Sequence, residues 1–520
     1  MHPVQILDST LRDGAQAEGV SFSVNDRLEI ARVLDSLGLH YIEAGNPASN
    51  PKELAFFRQA AALELRHARL CAFGTTRRKD SAVERDKNCL ALREANTPAV
   101  AIVGKSSALH VREVLGTTPA ENLAMIEETC RFFARAGREV IFDAEHFLDG
   151  YALDPAYALE TLRAAARGHA SCLTLCDTNG GAFPWRVEEI TRVVCKAFPD
   201  LIVGIHAHDD GGMATASSCA AVRAGARHVQ GTFLGFGERV GNASLSAVLP
   251  NLQLKLGYAC IEPVQLARLT ECALRVASAA NMRLRGNTPF VGSGAFAHKG
   301  GLHADGVLKT PASFEHIDPA AVGNRRRVLV SEVAGRAAIL PRIQRLYPDI
   351  DIENPAVERV IAALKDKEFG GYSFEGADAS FDLLIRRSQE NLPSFFELIS
   401  YKVLDQLPHE NERSATATLK IRANGRVKIA AAEGEGPVNA LDLALREALR
   451  GFYPVLTQVR LIDYKVRIME SAAGTGSQVR VLITSGDGAR QWTTVGVSQD
   501  IIEASWEALV DSIAYKLLEG

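Results

Sequence analysis

The chain has 520 residues, 47% of them hydrophobic and 23% charged, and a formal net charge of -4. That length implies roughly two to four domains. The balance excludes the basic footprint of a nucleic-acid binder, and no run of about 18 apolar residues is present to cross a membrane. A strand expected from Val4 leaves no room for a signal peptide. The nine cysteines lie between Cys71 and Cys272; an odd number without a regular framework points to reduced thiols, packed in the core, in a cytoplasmic protein.

The first 260 residues alternate regularly. Short apolar runs predict strands at Val4–Leu7, Tyr41–Ala44, Arg69–Phe73, Ala99–Val103, Val140–Phe142, Cys172–Cys176, Leu201–Ile205 and His228–Thr232. Helical patterns stand between them, at Asn25–Leu37, Pro51–Leu63, Ala82–Ala95, Pro119–Ala136, Pro155–Arg167, Pro184–Phe198 and Met213–Ala224, and Asn242–Leu256 follows the last strand. Eight strand–helix pairs in about 250 residues is the rhythm of a (β/α)8 barrel. An open doubly wound sheet competes, but the phosphate-loop fingerprint that fold places after its first strand is missing.

A barrel carries its chemistry just after its strands. Arg12 and Asp13 follow the first strand and Glu43 ends the second. Glu145 and His146 follow the fifth, and Asp177, Thr178 and Asn179 the sixth. His206 and His208 end the seventh, and Glu238, Arg239 and Asn242 lie after the eighth. Within Ile205-His206-Ala207-His208-Asp209-Asp210 the two histidines are two apart, so on a strand they leave the same face. Neutral imidazoles suit a divalent metal, though strand-end histidines hydrogen-bonded to neighbours are the other reading. Two ligands make no site. Asp13, at the same barrel end, supplies a carboxylate and leaves open positions for substrate.

Beyond the barrel the pattern changes. Residues 261–395 read as a linker region: a helix at Pro263–Ala280, a Gly-rich loop over Val291–Gly306 that holds His298 and His303, then helices at Leu329–Leu346 and Pro355–Lys367. Gly-dense loops with polar residues are where lids and binding loops occur. Residues 396–520 read as a C-terminal α+β domain of two ββα passes. In the first, Asn424-Gly425 turns a hairpin between Ala415–Arg422 and Arg426–Ala432, and a helix runs to Leu449. The second has strands at Val459–Ile468, Gln478–Thr484 and Gln491–Val497, with a helix over Gln499–Leu518. With no cysteine, and only His409 at its edge, this domain suits ligand sensing or dimerisation better than catalysis.

Asp8-Ser9-Thr10-Leu11-Arg12-Asp13-Gly14-Ala15-Gln16, the His206/His208 pair and Gly235-Phe236-Gly237-Glu238-Arg239-Val240-Gly241-Asn242-Ala243 together resemble a family of metal-dependent barrels. Its members are the Claisen-condensing isopropylmalate, homocitrate and citramalate synthases and hydroxymethylglutaryl-CoA lyase. Asp143–Tyr151, Cys176–Gly181, Ala297–His303 and Ala431–Ala440 look most like the citramalate branch, and the likeness runs nearly end to end. The resemblance implies an acyltransferase that joins acetyl-CoA to pyruvate and hydrolyses the thioester, in isoleucine synthesis. Isopropylmalate or homocitrate synthesis on a bulkier 2-oxo acid, and a lyase, are the alternatives. It further implies a divalent metal (Mg²⁺, Mn²⁺ or Zn²⁺) on Asp13, His206 and His208, with Asn242 as a further ligand or orienter. Arg12 would stabilise charge on the ketone oxygen, Thr178 would bind the oxo acid's carboxylate, and the base would be His303 or Glu145. His303 would come from the linker region of a partner chain, which makes a homodimer, with isoleucine as effector of the C-terminal domain. The basic run Arg77-Arg78-Lys79 is either a CoA-phosphate contact or a solvated loop. One departure stands out: the family's usual Asn after the histidine pair is Asp209 here, which bears on metal binding or on a hydrogen bond behind it.

Overall fold

The computed structural model describes residues 3–299, 301–329, 335–390, 392–405, 415–469 and 477–519. His409 and residues 330–334 of the expected Leu329–Leu346 helix lie outside them. The chain divides into two compact units, one of residues 1–296 with 316–326 and one of residues 297–315 with 327–520.

The first unit is a closed parallel barrel whose strands neighbour one another in chain order. They are β1 (Gln5–Asp8), β2 (Tyr41–Glu43), β3 (Arg69–Thr75), β4 (Ala99–Lys105), β5 (Glu139–Glu145), β6 (Cys172–Asp177), β7 (Ile202–Ala207) and β8 (His228–Gly231). β1 closes on β8 through Gln5–His228 to Asp8–Gly231. Proline opens four of the surrounding helices (Pro51, Pro119, Pro155, Pro184), where its fixed φ suits the first turn and its missing N–H costs nothing. Ser23, Asn50, Thr118 and Asp154 cap helix starts by accepting a backbone N–H.

Alternation along the strands sorts the interior into layers. Leu7, Tyr41, Cys71, Ala99, Ala101, Ile141 and Cys172 form an apolar layer. One step further along, Tyr41 gives way to Glu43, Ile141 to Asp143, Cys172 to Thr174 and His228 to Gln230, all buried. An apolar floor therefore carries a polar storey, and the functional loops open above it.

Between β8 and its helix the structure departs from expectation. Residues 242–244 are extended, with Asn242 bridged to His208 and Ser244 to Thr232, and helix starts only at Leu245. Two helices absent from the periodicity follow β4 and β5, Ala108–Glu113 and Phe147–Leu153.

In the second unit, the segment expected as a Gly-rich loop is partly helical: His303 lies on Gly301–Lys309, with Ala304 and Val307 buried at helical spacing. Each C-terminal repeat is one three-stranded antiparallel sheet with one helix. The first holds Glu397–Asp405, Ala415–Ala423, Arg426–Gly434 and helix Pro437–Leu449; the second holds Arg460–Ile468, Val479–Gly486, Gln491–Ser498 and helix Ile501–Glu519. Glu397–Asp405 is one strand more than expected. Both sheets slip register at the same place, after the second residue of the first strand (Leu398/Ser400 and Leu461/Asp463), which marks them as copies of one unit. Among the described residues, no helix is long and apolar enough to cross a membrane.

Candidate functional site

The turn after β1 is built by its own motif. Asp8 accepts from the Thr10 amide at 2.8 Å and its hydroxyl at 2.9 Å, and Thr10 Oγ1 accepts from the Phe233 amide at 2.8 Å, tying this turn to the chain after β8. Burial pushes the Asp8 carboxyl up to about 7 against these hydrogen bonds. Ser9 donates to Glu43 and accepts from the Asp13 amide. The turn thereby projects Arg12 and Asp13 into the mouth. Arg12 is fixed there by Nε on Glu43 (2.8 Å), a second nitrogen on Asp13 (3.1 Å) and the Phe73 ring 4.0 Å beneath it.

β7, two strands from β1 around the barrel, delivers His206 at its end and His208 just beyond it to the same mouth. Asp13, His206 and His208, all buried, have ligand-type atoms within 4.8 Å of one another. The Nε2 atoms of His206 and His208 stand 3.5 and 3.8 Å from Asp13 Oδ2. Burial would raise the Asp13 carboxyl, but Arg12, His206 and His208 outweigh it and hold it well below the usual carboxylate range. Burial and the neighbouring His206 push His208 down to about 4, so its ring is neutral at pH 7 and can serve as a ligand.

Whether these residues fit a metal is answered by their loose ends. Asp13 Oδ1, His208 Nδ1 and Asn242 Oδ1 are buried without a hydrogen-bond partner. Such orphans are rare in a folded interior and need an explanation. A carboxylate, two imidazoles and an amide oxygen form a donor set that accepts a divalent cation and leaves room for substrate. The extended bridge, not a helix, sets the Asn242 backbone beside His208. Gly241 makes the bend possible: at φ 103° a Cβ would stand 1.9 Å from the Gly235 carbonyl oxygen.

A cavity of about 250 Å³ opens on this cluster, lined by Arg12, Phe73, Val103, Glu145, Thr178 and Glu238 among others. Glu145 is ion-paired to Lys105. Thr178 Oγ1 accepts the His146 backbone N–H at 2.8 Å, which leaves the hydroxyl proton free to be donated. Arg239 holds the loops after β6, β7 and β8 together, donating to both oxygens of Asp210 (2.8 and 2.9 Å) and to the Thr178 carbonyl (2.8 Å). The cavity therefore offers a cation, a hydroxyl donor and a carboxylate around one donor cluster. That is the equipment for holding a small oxo acid while charge develops on it.

His303 belongs to the second unit, exposed and stacked 4.3 Å from the Phe314 ring. His298 hydrogen-bonds Glu315 at 3.2 Å within that unit. Asp209 is turned from the metal cluster: its carboxylate accepts the Ala214 amide at 2.8 Å at the start of helix Ala214–Ala224, where an anion meets the positive end of the helix dipole. An Asn oxygen would accept the same amide, so what the departure adds here is a negative charge at the helix start. Arg77 is buried against Glu121 (2.7 Å) and Glu128 (2.6 Å), and Lys79 donates to the Gly116 carbonyl, so two of the three basic residues are structural. Sequence reasoning missed Lys105, Phe73 and Gln230. Gln230 had a signal, since His228 and Gln230 are polar residues two apart in a strand buried on both faces.

The HMGL-like family matches residues 3–275, the homocitrate synthase post-HMGL domain-like family residues 290–368, and the LeuA allosteric (dimerisation) domain residues 375–517. The (R)-citramalate synthase of Aquifex aeolicus is 49% identical over 99% of this chain and 98% of its own length. Those of Synechocystis sp. and Geobacter sulfurreducens are 48% and 44% identical, covering 98% and 99% of this chain and 96% and 98% of their own lengths. A full-length match at that identity, on a barrel whose mouth assembles the motif residues around one donor cluster, is decisive: the chain belongs to the HMGL-like family, in its (R)-citramalate synthase group.

Proposed function

We propose that the chain condenses acetyl-CoA with pyruvate and hydrolyses the thioester, releasing citramalate and CoA. The observation that carries this reading is the donor cluster of Asp13, His206 and His208, with buried orphan atoms on Asp13 and His208, facing the same small cavity as Arg12, Thr178 and Glu145, while the orphaned Asn242 sits beside His208 in the backbone bridge. Asp13, His206, His208 and Asn242 would hold Mg²⁺, Mn²⁺ or Zn²⁺. Such an ion, when bound, supplies Lewis-acid polarisation of a carbonyl.

The residues themselves do the rest. Thr178 donates its hydroxyl to the oxo acid's carboxylate. Arg12, held rigid by Glu43 and Phe73, keeps N–H groups for the ketone oxygen and stabilises the negative charge that grows there. Phe73 and Val103 face the oxo acid's methyl end and set its size. A base takes a proton from the acetyl methyl, whose carbon then bonds to the ketone carbon. The ketone oxygen takes up a proton and stays on the new carbon centre as a hydroxyl, and water cleaves the thioester to release CoA. We assign the base to His303, because Glu145 is already engaged by Lys105; Glu145 orients the acetyl group.

The C-terminal repeats support feedback and dimer formation, with isoleucine as effector of an isoleucine-synthesising step. A groove of about 500 Å³ between helix Pro437–Leu449 and strand Arg460–Ile468 is lined by Val438, Leu443 and Leu461 beside the Asp442–Arg446 ion pair, an apolar lining that suits an aliphatic side chain. The test is direct: purified protein with acetyl-CoA, Mg²⁺ or Mn²⁺ and a panel of 2-oxo acids, read as free CoA thiol. Pyruvate is expected to turn over fastest. No turnover on pyruvate beside strong turnover on a bulkier oxo acid would overturn the assignment.

A further inference from the structure

Beneath the metal cluster, β8 places Gln230 in the barrel interior with no exposure. Its Nε2 donates to Asp143 Oδ1 at 2.7 Å and Thr174 Oγ1 at 3.2 Å, and its Oε1 lies 2.9 Å from His206 Nδ1. A side-chain amide has one donor face and one acceptor face. Turned the other way, its oxygen would meet the Asp143 carboxylate and its two donors would meet an imidazole nitrogen. The Asp143 contact therefore dictates that Oε1 face His206. An amide oxygen only accepts, so Nδ1 of His206 carries a proton and Nε2 is the nitrogen left to face Asp13 and the cluster.

From this we infer that Gln230 is a positioning residue, fixing the tautomer and ring plane of His206 so that Nε2 is presented to a divalent cation, while Asp143 keeps Gln230 the right way round. The inference rests on reading Asp13, His206 and His208 as metal ligands, and adds the group that prepares one of them. His208 has no such partner, its Nδ1 being unsatisfied. The two imidazoles are thus unequal: one is pre-set by the barrel interior and the other is free to turn.

Two variants of the full-length protein, stripped of metal, test this. Gln230→Met keeps the volume and removes the acceptor; affinity for Mn²⁺, read from the paramagnetic signal of the free ion, is expected to fall about 10–100-fold. Gln230→Glu keeps an oxygen on Nδ1 and is expected to bind Mn²⁺ within several-fold of wild type. A merely volumetric role predicts the opposite order, since Met would be tolerated and a second carboxylate beside Asp143 would not. In ¹⁵N-histidine-labelled protein, Nδ1 of His206 is expected to carry a proton in wild type and to lose it in part of the population in Gln230→Met. Wild-type Mn²⁺ affinity in folded Gln230→Met, or His206 without a proton on Nδ1 in wild type, would overturn the inference. If wild type takes up neither Mn²⁺, Co²⁺ nor Zn²⁺, the metal reading falls, and the nitrogen shifts still decide the tautomer.

Discussion

The barrel and the C-terminal repeats treat their polar and apolar atoms in opposite ways. Among the described residues, the buried side-chain atoms without a hydrogen-bond partner all belong to the barrel except Nε of Arg342. The repeats bury charge only in satisfied pairs: Lys516 with Asp487 at 2.9 Å, and Arg446 with both oxygens of Asp442. Their strands instead expose apolar side chains, with Leu404, Val427, Ile429, Ile462 and Ile468 each more than half exposed. A buried polar atom left unpaired is costly and asks for a ligand, whereas an apolar face left in water asks for a partner. Chemistry and assembly are therefore written in different loose ends.

The sharpest break would come from the barrel. Asp13→Asn removes the anionic donor and is expected to lower kcat by on the order of 10³-fold in the thiol-release assay. Unchanged turnover would show that the cluster is structural. Next, His303→Asn is expected to lose about 10²–10⁴-fold in kcat, partly restored by added imidazole. Glu145→Gln should lose less and respond to no added base. A larger loss in Glu145→Gln, with no rescue of His303→Asn, would transfer the base to the carboxylate.

The sequence was a good guide to the barrel because its signals are local. Strands buried on both faces read as apolar runs, and all eight observed strands overlap the expected ones. The Asp13, His206 and His208 cluster follows from strand ends alone once the barrel is granted. What failed to show depended on tertiary pairing. Glu397–Asp405 alternates poorly, since as an outer strand it carries apolar residues on both faces, and only its pairing with Ala415–Ala423 makes it a strand. Asn242 sat in a helical pattern until the His208 bridge overrode it. The contact of Asp209 with the Ala214 amide becomes visible only once helix Ala214–Ala224 is placed.

The repeats give the next test. If their exposed strands meet a second copy, Ile429→Glu should weaken the dimer about 30-fold, the loss of about 2 kcal/mol expected for an apolar anchor. Sedimentation would read it, and inhibition by isoleucine should weaken while Mn²⁺ affinity holds. Ile429, at 61% exposure, pairs across the sheet with Lys420, so a new glutamate there meets an opposite charge and is tolerated by the isolated sheet but rejected by an apolar partner. An unaltered dimer would place the contact on other strands.

The smallest effect belongs to the barrel floor. His228 is fully buried, tilted against Tyr41 with ring centroids 5.7 Å apart, and neither ring nitrogen has a partner. Burial first, with His40 and His206 adding to it, pushes it down to about 3 from an ordinary 6.5. The folded barrel thus refuses a proton that the unfolded chain takes up. His228 contributes fully to stability above pH 6.5, and that contribution drains away as pH falls toward 3. Between pH 7.5 and 5 this one residue should cost about 2 kcal/mol. His228→Leu, which keeps the bulk and removes the titration, should lose less stability over that interval by the same amount, read as the ratio of amide exchange in β7 and β8 peptides of variant and wild type at each pH. Parallel profiles would mean that His228 is satisfied in the folded barrel, and that its unpaired nitrogens, unlike those at the mouth, mark no strain at all.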